Sequence, residues 1–273
     1  MTDLPKTEAL ELEHDGGWLT IWFNQPEKRN PLTGEMTHEL QAVLDAVRDD
    51  RSVRGITLRG RGGIFCAGGD LKAFKSMAGA EGAEAHADIV ALSKSGAAIF
   101  QSVNSMPQVV IALVEGAAMA GGLGLACCAD VMIVEKEAKF AFTETAIGLT
   151  PAQIAPYVLQ KVGYAIGRRL MLTAARLNGA TATDIGLADQ CVDDAAGLSE
   201  AEQTIRKQVL QCAPGAVADI KRLILALPQL EGEERVAAAA ENFAGRVLSD
   251  EGREGLASFL EKRKPEWAQG AAV

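Results

Sequence analysis

Small residues interrupt an apolar segment near the middle of the chain, between Val109 and Asp130. The segment reads VVIALVEGAAMAGGLGLACCAD, and its β-branched beginning gives way to glycines at 121, 122 and 124. This order predicts a buried strand, a tight loop and a buried helix. The first turn of a helix has unpaired N–H groups, and a glycine there lets a ligand come close. Such a turn binds negative charge, so it can hold a phosphate, a carboxylate or a carbonyl oxygen that gains charge during a reaction.

Three interpretations of this glycine segment compete. Gly122, Gly124 and Cys127 give GxGxxC, which departs from the GxGxxG or GxGxxA of a dinucleotide-binding turn, and the connection from the strand is longer than that turn allows. Tight packing of a buried helix on a sheet also uses small residues. The third interpretation, an oxyanion site, is favoured by residues elsewhere in the chain.

Composition limits the classes of partner. The 273 residues are 48% hydrophobic and 23% charged, as in a globular protein, and the net charge is −9. An acidic chain is a poor ligand for nucleic acid or an anionic membrane, so neither is expected as a partner. The N-terminus has no basic and apolar leader and no apolar run approaches membrane-spanning length, so we expect a cytoplasmic protein.

Several other chemistries lack their residues. The five cysteines (Cys66, Cys127, Cys128, Cys191, Cys212) are odd in number and show no CxxC spacing, which favours buried thiols over a disulfide framework or a zinc site. No GxSxG is present, and His38-Glu39 is not followed by a second histidine at metal-ligand spacing. No metal is therefore expected, and Cys66, with no histidine partner in view, is interpreted as a packing residue.

Strands and helices alternate in the first part of the chain. Residues 9–13 and 18–23 alternate as paired strands around the turn Asp15-Gly16-Gly17, and 55–60 is a short apolar strand before a second glycine loop at 61–72. Leu40, Val43, Leu44 and Val47 have helical spacing. This β-α order predicts a parallel α/β layout.

Helices dominate later in the chain. Residues 76–96 show little periodicity and predict a mobile or weakly helical segment that could cover a pocket, followed by a helix over 99–105. Helices are predicted over 157–172, 201–211, 216–227, 233–248 and 252–262. The change from alternating strands and helices to helices predicts a core over 1–200 and a helical subdomain over 201–273.

Three motifs carry a family resemblance. PEKRNPLT, FCAGGDLKAF and VEGAAMAGGLGLACCAD, in this order and at these separations, resemble the crotonase superfamily of enoyl-CoA hydratases and isomerases, and the likeness extends to SFLEKRKPEW. It implies an α/β fold, a crotonase-like spiral of ββα turns with a C-terminal helical trimerisation region. It also implies acyl-CoA thioester substrates, homotrimers or dimers of trimers, and no cofactor, since CoA is part of the substrate.

The resemblance also implies the catalytic groups. The backbone N–H groups of Gly69 and Gly121 match the two that bind the thioester oxygen, and Glu144 matches the catalytic glutamate. Fixed N–H donors stabilise an oxygen that gains charge only in the transition state. The apolar flanks of Glu144 (Phe140, Phe142, Ile147, Leu149) would raise its pKa and suit it to proton exchange at carbon.

One position departs from the family pattern. Hydratases with two acids carry a second glutamate three residues after the oxyanion glycine, where this chain has Gly124. Glu115 is nearby, but at a strand end it reads as a structural acid. Three functions stay open: hydration by Glu144 alone, a Δ3–Δ2 double-bond shift, and non-catalytic acyl-CoA binding.

A narrower resemblance favours hydration. ETAIGLTPAQIAPYVLQKVG is similar to isohexenylglutaconyl-CoA hydratases, a branch that handles β-branched glutaconyl thioesters and also lacks the helix glutamate. Gln153 and Tyr157 are therefore candidates for contact with a branched or polar acyl end. An ordinary helix N-terminus begun by Pro151 explains the run equally well.

The resemblance places the CoA moiety as well. Lys28 or Arg29 and the distant Lys262 match positions that contact phosphates, and Phe259 matches one that packs on the ligand from a neighbouring subunit. Three residues of the second glycine loop are expected to cradle adenine and pantetheine, mainly through backbone groups: Ala67, Asp70 and Leu71.

Overall fold

Two sheets form the scaffold of the computed structural model, which describes residues 3–77, 79 and 82–269. Their strands are β1 (Leu10–Asp15), β2 (Trp18–Phe23), β3 (Gly55–Gly60), β4 (Val109–Val114), β5 (Ala117–Met119), β6 (Val131–Glu135), β7 (Lys139–Ala141), β8 (Leu177–Asn178) and β9 (Gln190–Val192). The larger sheet has the order β1-β2-β3-β4-β6-β9 and is parallel except for β1, and the smaller has the order β5-β7-β8.

The predicted hairpin at the start of the chain is confirmed. Asp15 pairs with Trp18, which leaves Gly16 and Gly17 as a two-residue loop. Their φ values of 55° and 81° are the left-handed values that a two-residue hairpin turn favours and that glycine adopts without strain.

Helices connect and cover the strands. They are α1 (Gly34–Val47), α2 (Leu71–Met77), α3 (Ala83–Asn104), α4 (Gly121–Cys127), α5 (Ala155–Thr173), α6 (Gly179–Asp184), α7 (Ala195–Leu210), α8 (Pro214–Ala226), α9 (Gly232–Val247) and α10 (Asp250–Leu260). In α1 the apolar stripe read from the sequence is buried, and the Thr33 hydroxyl caps the helix by accepting a hydrogen bond from the Met36 amide at 3.2 Å.

The segment before residue 99 differs from its prediction. The helix expected over 99–105 begins sixteen residues earlier, at Ala83, and α3 is a 22-residue helix; residues 78, 80 and 81 of the predicted segment lie outside the described residues. Only Ile99, Phe100 and Val103 of α3 are buried. The early turns contain good helix formers such as alanine but bury no apolar stripe, so periodicity could not reveal them.

Two hydrophobic cores lie on opposite faces of the larger sheet. The main core includes side chains of α1, α3, α4 and α5. The smaller core brings Ile111 and Ile133 of the sheet against Leu198 and Ala201 of α7. The predicted domain boundary after residue 200 thus falls inside a helix that packs on the sheet, and the division into 1–200 and 201–273 stays a prediction.

The C-terminal helices leave many apolar side chains exposed. Those of α8 to α10 include Ile220, Ile224, Val236, Phe243, Leu256 and Phe259. Lys221 of α8 reaches back to the sheet, where its ammonium group donates to Asp130 at 2.7 Å and to the Gln108 carbonyl at 3.1 Å. Across the described residues, none of the helices has the length and apolar character needed to cross a membrane.

Candidate active site

One row of paired residues brings three chain segments to a common edge. Cys66 forms a parallel bridge with Ala118 of β5, and Ala118 pairs with Phe140 of β7. Because the three segments run in the same direction, the residues that follow them leave the sheet on one side. Gly69, Gly121 and Glu144 come three, three and four residues after this row. The carboxyl ends of parallel strands are the usual place for a ligand site.

The two glycine loops place their amides next to each other. A Cβ built on Gly121 would lie 4.0 Å from the Gly69 nitrogen. Neither the Gly69 nor the Gly121 N–H donates a hydrogen bond to any atom of the described chain. Two neighbouring, unpaired N–H groups are the arrangement that an oxyanion requires.

Three apolar side chains lie near the two glycines. A Cβ on Gly69 would lie 2.8 Å from the ring of Phe74, and one on Gly121 would lie 3.4 Å from Leu32 and 3.9 Å from Phe100. Apolar neighbours lower the local polarity, which strengthens the interaction of an N–H group with a charged oxygen. Reasoning from the sequence did not single out these three residues, although Phe74 and Leu32 lie within the quoted motifs.

Ala120 holds the turn that leads into α4. Its φ of 49° and ψ of −125° are unusual for a residue with a side chain. Its amide donates to the Ala141 carbonyl at 2.8 Å, and its carbonyl accepts from the Gly124 amide at 3.0 Å. These two hydrogen bonds fix the orientation of the next peptide group, which carries the Gly121 N–H.

Glu144 begins a short 3₁₀ helix, Glu144–Ile147, and one of its carboxyl oxygens is buried. This Oε2 atom has no hydrogen-bond partner in the described chain. Burial raises the pKa of the Glu144 carboxyl, and a hydrogen bond from its own backbone N–H opposes this only in part. A half-buried, incompletely bonded carboxyl with a raised pKa is suited to moving protons near neutral pH.

The flanking residues desolvate Glu144 less completely than the sequence indicates. Phe140 and Phe142 are buried as expected. Ile147 and Leu149 were expected to contribute, but they are 56% and 43% exposed. They lie in the 3₁₀ helix and the following loop, whose side chains point to solvent in the single chain.

Ile154 occupies the space beside Gly124. A Cβ on Gly124 would lie 2.2 Å from Ile154 Cγ2 and 2.5 Å from Ile154 Cβ. Ile154 is 3% exposed. The chain thus has no side chain at the position of the second acid of two-acid hydratases, and Ile154 fills the space that this acid would occupy. The sequence did not reveal this, because nothing in it links residues 124 and 154.

Gln153 and Tyr157 flank Ile154 at the start of α5. The Gln153 amide donates to the Ser93 hydroxyl of α3 at 2.9 Å. The Tyr157 ring lies 6.3 Å from that of Phe100, and burial raises the pKa of its hydroxyl. Tyr157 thus lies beside the apolar wall of the glycine site and keeps its proton, while Gln153 bridges α5 and α3.

Glu115, considered as a second acid, and Cys66, considered as a nucleophile, both have surroundings that indicate a structural role. Glu115 forms an ion pair with Arg59 in which both side chains are 13% exposed, which agrees with its interpretation as a structural acid. Cys66 is buried, and burial raises the pKa of its thiol to about 12. A thiol in this state is a poor nucleophile.

Four of the residues expected at CoA lie in two adjoining loops. The Ala67 amide donates to the Arg29 carbonyl at 3.0 Å, which joins the second glycine loop to the loop of Lys28. The Asp70 carboxylate accepts hydrogen bonds from the amides of Lys72 and Ala73 at 3.0 and 3.2 Å and so caps α2. Lys28 and Leu71 are exposed, as a residue that meets a large ligand in solvent would be.

Phe259 and Lys262 are not joined to these loops by any hydrogen bond or ion pair in the described chain. Phe259 lies on α10 with 83% of its surface exposed, and the Lys262 amide donates to the Phe259 carbonyl at 3.2 Å. Their predicted contact with CoA, from a neighbouring subunit in the case of Phe259, stays a prediction, as do the roles of Lys28, Ala67, Asp70 and Leu71. Within the described ranges, histidine, cysteine and acidic side chains nowhere gather into a group able to hold a metal ion.

Comparison with known proteins shows the family of this chain. Residues 13–270 match the family model described as enoyl-CoA hydratase/isomerase. The chain is 33% identical over 267 residues to the carnitinyl-CoA dehydratase of Proteus mirabilis, which covers 96% of this chain and 98% of the relative.

Solved structures agree in fold. Pseudomonas aeruginosa AtuE superposes with a TM-score of 0.91 at 45% identity, covering 96% of this chain and 100% of that one. An enoyl-CoA hydratase/isomerase from Marinobacter aquaeolei has a TM-score of 0.90 at 37% identity, covering 96% and 99%. The expected crotonase fold, α/β with a helical C-terminal region, is confirmed. The chain belongs to the enoyl-CoA hydratase/isomerase family.

Proposed function

We propose that this protein adds water across the α,β double bond of an acyl-CoA thioester, with Glu144 as its single catalytic carboxylate. The observation that carries the proposal is the buried, unpartnered Oε2 of Glu144, on a segment that leaves the sheet beside two unpaired amides.

The proposed reaction is a stepwise addition on one face of the substrate. The Glu144 carboxylate takes a proton from water as the water oxygen bonds to Cβ, and the π electrons move to the thioester oxygen as an enolate. The N–H groups of Gly69 and Gly121 stabilise this oxygen, each by about 3–4 kcal/mol on the scale measured for other oxyanion sites. Glu144 then returns the proton to Cα, so the net change is the addition of one water molecule.

We further propose a β-branched or glutaconyl-type acyl chain. This rests on the resemblance of the run around Ile154 to isohexenylglutaconyl-CoA hydratases and on the position of Tyr157 beside Phe100. A neutral tyrosine hydroxyl offers one hydrogen bond at the end of an otherwise apolar wall. Gln153, already bonded to Ser93, is the second polar group proposed there.

A Δ3–Δ2 double-bond shift is the second candidate. Here Glu144 removes a proton from Cα of a β,γ-unsaturated thioester and returns it to Cγ, without water. The filled space beside Gly124 favours this candidate, because a proton shuttle needs one carboxylate and no second acid to orient water. The relative from Proteus mirabilis favours hydration, since its name describes a dehydration, the reverse reaction.

CoA binding and assembly complete the proposal. Lys28 and Lys262 would contact phosphates, while Ala67, Asp70 and Leu71 would cradle adenine and pantetheine. We also propose a homotrimer or a dimer of trimers, supported by the exposed apolar side chains of α8 to α10. In such an assembly Phe259 of one subunit would pack on the CoA of its neighbour.

The purified protein should be incubated with α,β- and β,γ-unsaturated acyl-CoAs and the products weighed. A gain of one water supports hydratase activity, whereas an unchanged mass with a moved double bond identifies the isomerase. No change across a broad panel of bound thioesters would favour a non-catalytic acyl-CoA-binding protein and reject both reactions.

A further inference from the structure

We propose that Ile154 is a specificity-determining residue: it fills the volume of a second catalytic carboxylate and forms the wall of the acyl cavity beside the reacting carbons. The assignment rests on the proposed function for the identity of the ligand. Its steric basis is independent of that function.

Helix geometry places Ile154 on the reacting side of α4. Gly121 and Gly124 are three residues apart, so both lie on one face of the helix. The Gly121 N–H is the proposed oxyanion donor on that face. A Cβ on Gly124 would run into Ile154, which therefore lies one helical turn beyond the oxyanion donor.

The overlap cannot be relieved by a rotamer change. Three atoms of Ile154 lie within 3.0 Å of the Gly124 Cβ position, and one of them is Ile154 Cβ, at 2.5 Å. This atom is bonded directly to the backbone, so rotation about χ1 does not move it. A side chain at 124 would require the backbone at 154 to shift.

The backbone of Ile154 is held in place. Its carbonyl accepts hydrogen bonds from the amides of Tyr157 and Val158, both at 3.1 Å, which begins α5. The preceding side chain, Gln153, is bonded to Ser93 of α3 at 2.9 Å. Displacement of Ile154 would therefore disturb both the first turn of α5 and its bridge to α3.

Helix α5 contacts both parts of the site. It packs against the 3₁₀ helix of Glu144, where the Thr145 hydroxyl donates to the Met171 carbonyl at 3.0 Å, and against α4, which Ile154 meets at Gly124. A thioester whose oxygen lies at Gly69 and Gly121 and whose Cα lies at Glu144 would have its Cβ substituent directed toward this surface. The size of residue 154 then limits the size of the substituent on Cβ of the thioester.

Binding of two saturated thioesters tests this limit without any turnover. Butanoyl-CoA and its analogue with a propyl group on Cβ are titrated into the wild-type protein and Ile154→Ala, and the ratio of the two dissociation constants is compared. We expect the ratio to shift about tenfold in favour of the branched ligand, in the range found for methylene-sized changes in apolar pockets. An unchanged ratio overturns the proposal.

Ile133→Ala is the matched control, because Ile133 is equally apolar, fully buried and located in the smaller core under α7. It should lower stability and leave the ligand ratio unchanged. A shift as large as that of Ile154→Ala would show that the effect is a general consequence of a weakened core and would also overturn the proposal.

A double-mutant cycle tests the steric contact itself. Gly124→Ala should lower the melting temperature of the wild-type protein by several degrees and have a smaller effect in the Ile154→Gly background, which removes the Cβ that Ile154→Ala would keep. Additive losses would contradict the contact. The proposed function fails if the wild-type protein changes neither the mass nor the double bond of any thioester. The ratio of dissociation constants and the double-mutant cycle can still be measured in that case.

Discussion

Cys66 and Ala118 are joined by a parallel bridge, in which the Cys66 amide donates to the Ala117 carbonyl at 3.1 Å and the Met119 amide donates to the Cys66 carbonyl at 3.0 Å. Each residue lies three positions before one of the glycines whose amides form the candidate oxyanion site. The bridge therefore sets the separation of the Gly69 and Gly121 N–H groups.

Gly122→Ala should damage this relationship. The added Cβ would lie 2.6 Å from the Cys66 sulfur and 2.7 Å from the Cys66 carbonyl oxygen, so the two loops must move apart. We expect the free energy of unfolding to fall by about 1–3 kcal/mol. The turnover number should fall about 10²- to 10³-fold, as when one oxyanion donor is lost elsewhere. Chemical denaturation and steady-state kinetics measure the two effects.

Gly96→Ala is the control for this substitution. Gly96 lies in α3, and a Cβ there would meet no atom within 4 Å. Alanine should therefore stabilise the helix by about 0.5–1 kcal/mol and leave turnover unchanged. Equal turnover for Gly122→Ala and Gly96→Ala would show that the bridge does not control the chemistry.

Glu144→Gln should abolish either proposed reaction while acyl-CoA binding is retained. The amide keeps the shape of the carboxylate but cannot accept a proton, and loss of a general base lowers rates about 10²- to 10⁴-fold. Turnover is followed by mass or ultraviolet absorbance, and binding by calorimetry. Glu241→Gln, at an exposed position of α9, should behave as wild type. Retained turnover in Glu144→Gln would place the acid elsewhere.

The raised pKa of Glu144 links both activity and stability to pH. As pH falls through this pKa the carboxylate is protonated, so kcat/KM should decline on the acid side. The folded state binds this proton more tightly than the unfolded chain, so stability should decrease as pH rises from about 4.3 through the raised value. Glu144→Gln should therefore melt at a higher temperature than wild type above this window, and the difference should vanish in acid.

Thermal melts of wild type and Glu144→Gln across pH 3 to 8 check the sign. If the difference in melting temperature between the two proteins stays constant with pH, the pKa of Glu144 is the same in the folded and unfolded chains. A kcat/KM profile without an acid limb would argue against Glu144 as the base.

Thiol labelling should separate packing cysteines from reactive ones. Burial raises the pKa values of Cys66 and Cys127 to about 12, so at pH 8 both thiols stay protonated and react slowly. Iodoacetamide should modify the exposed Cys212 first and spare these two, with activity unchanged. Mass spectrometry of the digest locates the label. Rapid labelling of Cys66 with loss of turnover would contradict this prediction and indicate that Cys66 acts as a nucleophile.

Lys221→Met should weaken the attachment of α8 to the sheet. Lys221 is 11% exposed, and its partner Asp130 also accepts a hydrogen bond from the Val110 amide at 2.7 Å. Loss of the ammonium group should lower the free energy of unfolding by about 2–3 kcal/mol, less than for a fully buried pair because Asp130 is partly hydrated.

Arg222→Met is the comparison for this pair. Arg222 is 77% exposed and pairs with Asp219 at the surface of the same helix. Its loss should change the free energy of unfolding by about 0–1 kcal/mol. Urea denaturation measures both variants, and equal effects would show that the Lys221 contact is not a structural tie.

Local signals in the sequence were sufficient for the main elements. The Asp15-Gly16-Gly17 turn and the stripe of α1 each depend on residues close in the chain, and each is found as expected. The buried strand and the helix at Gly121 are also found, but the loop predicted between them contains the short strand β5. The start of α3 was missed because an exposed helix rich in alanine has no apolar stripe. The exposure of Ile147 and Leu149 was missed because an apolar residue type does not tell which way a loop side chain points.

Contacts between distant residues account for the rest. The sequence shows a glycine at 124 and an isoleucine at 154, but only the folded chain shows that Ile154 fills the space beside Gly124. Phe100 likewise lies near Gly121 through tertiary packing. Such pairings are set by the three-dimensional arrangement of loops, for which a single sequence has no periodic signal.

The left-handed backbone of Ala120 has a consequence for the timing of events in the site. A conformation of this kind is unfavourable by about 1–3 kcal/mol and persists only when its neighbours leave the chain no alternative. Because folding alone holds this conformation, the Gly121 N–H has its orientation before any ligand binds. The orientation of the Gly121 N–H group therefore belongs to the unliganded protein, and holding it uses none of the free energy of ligand binding.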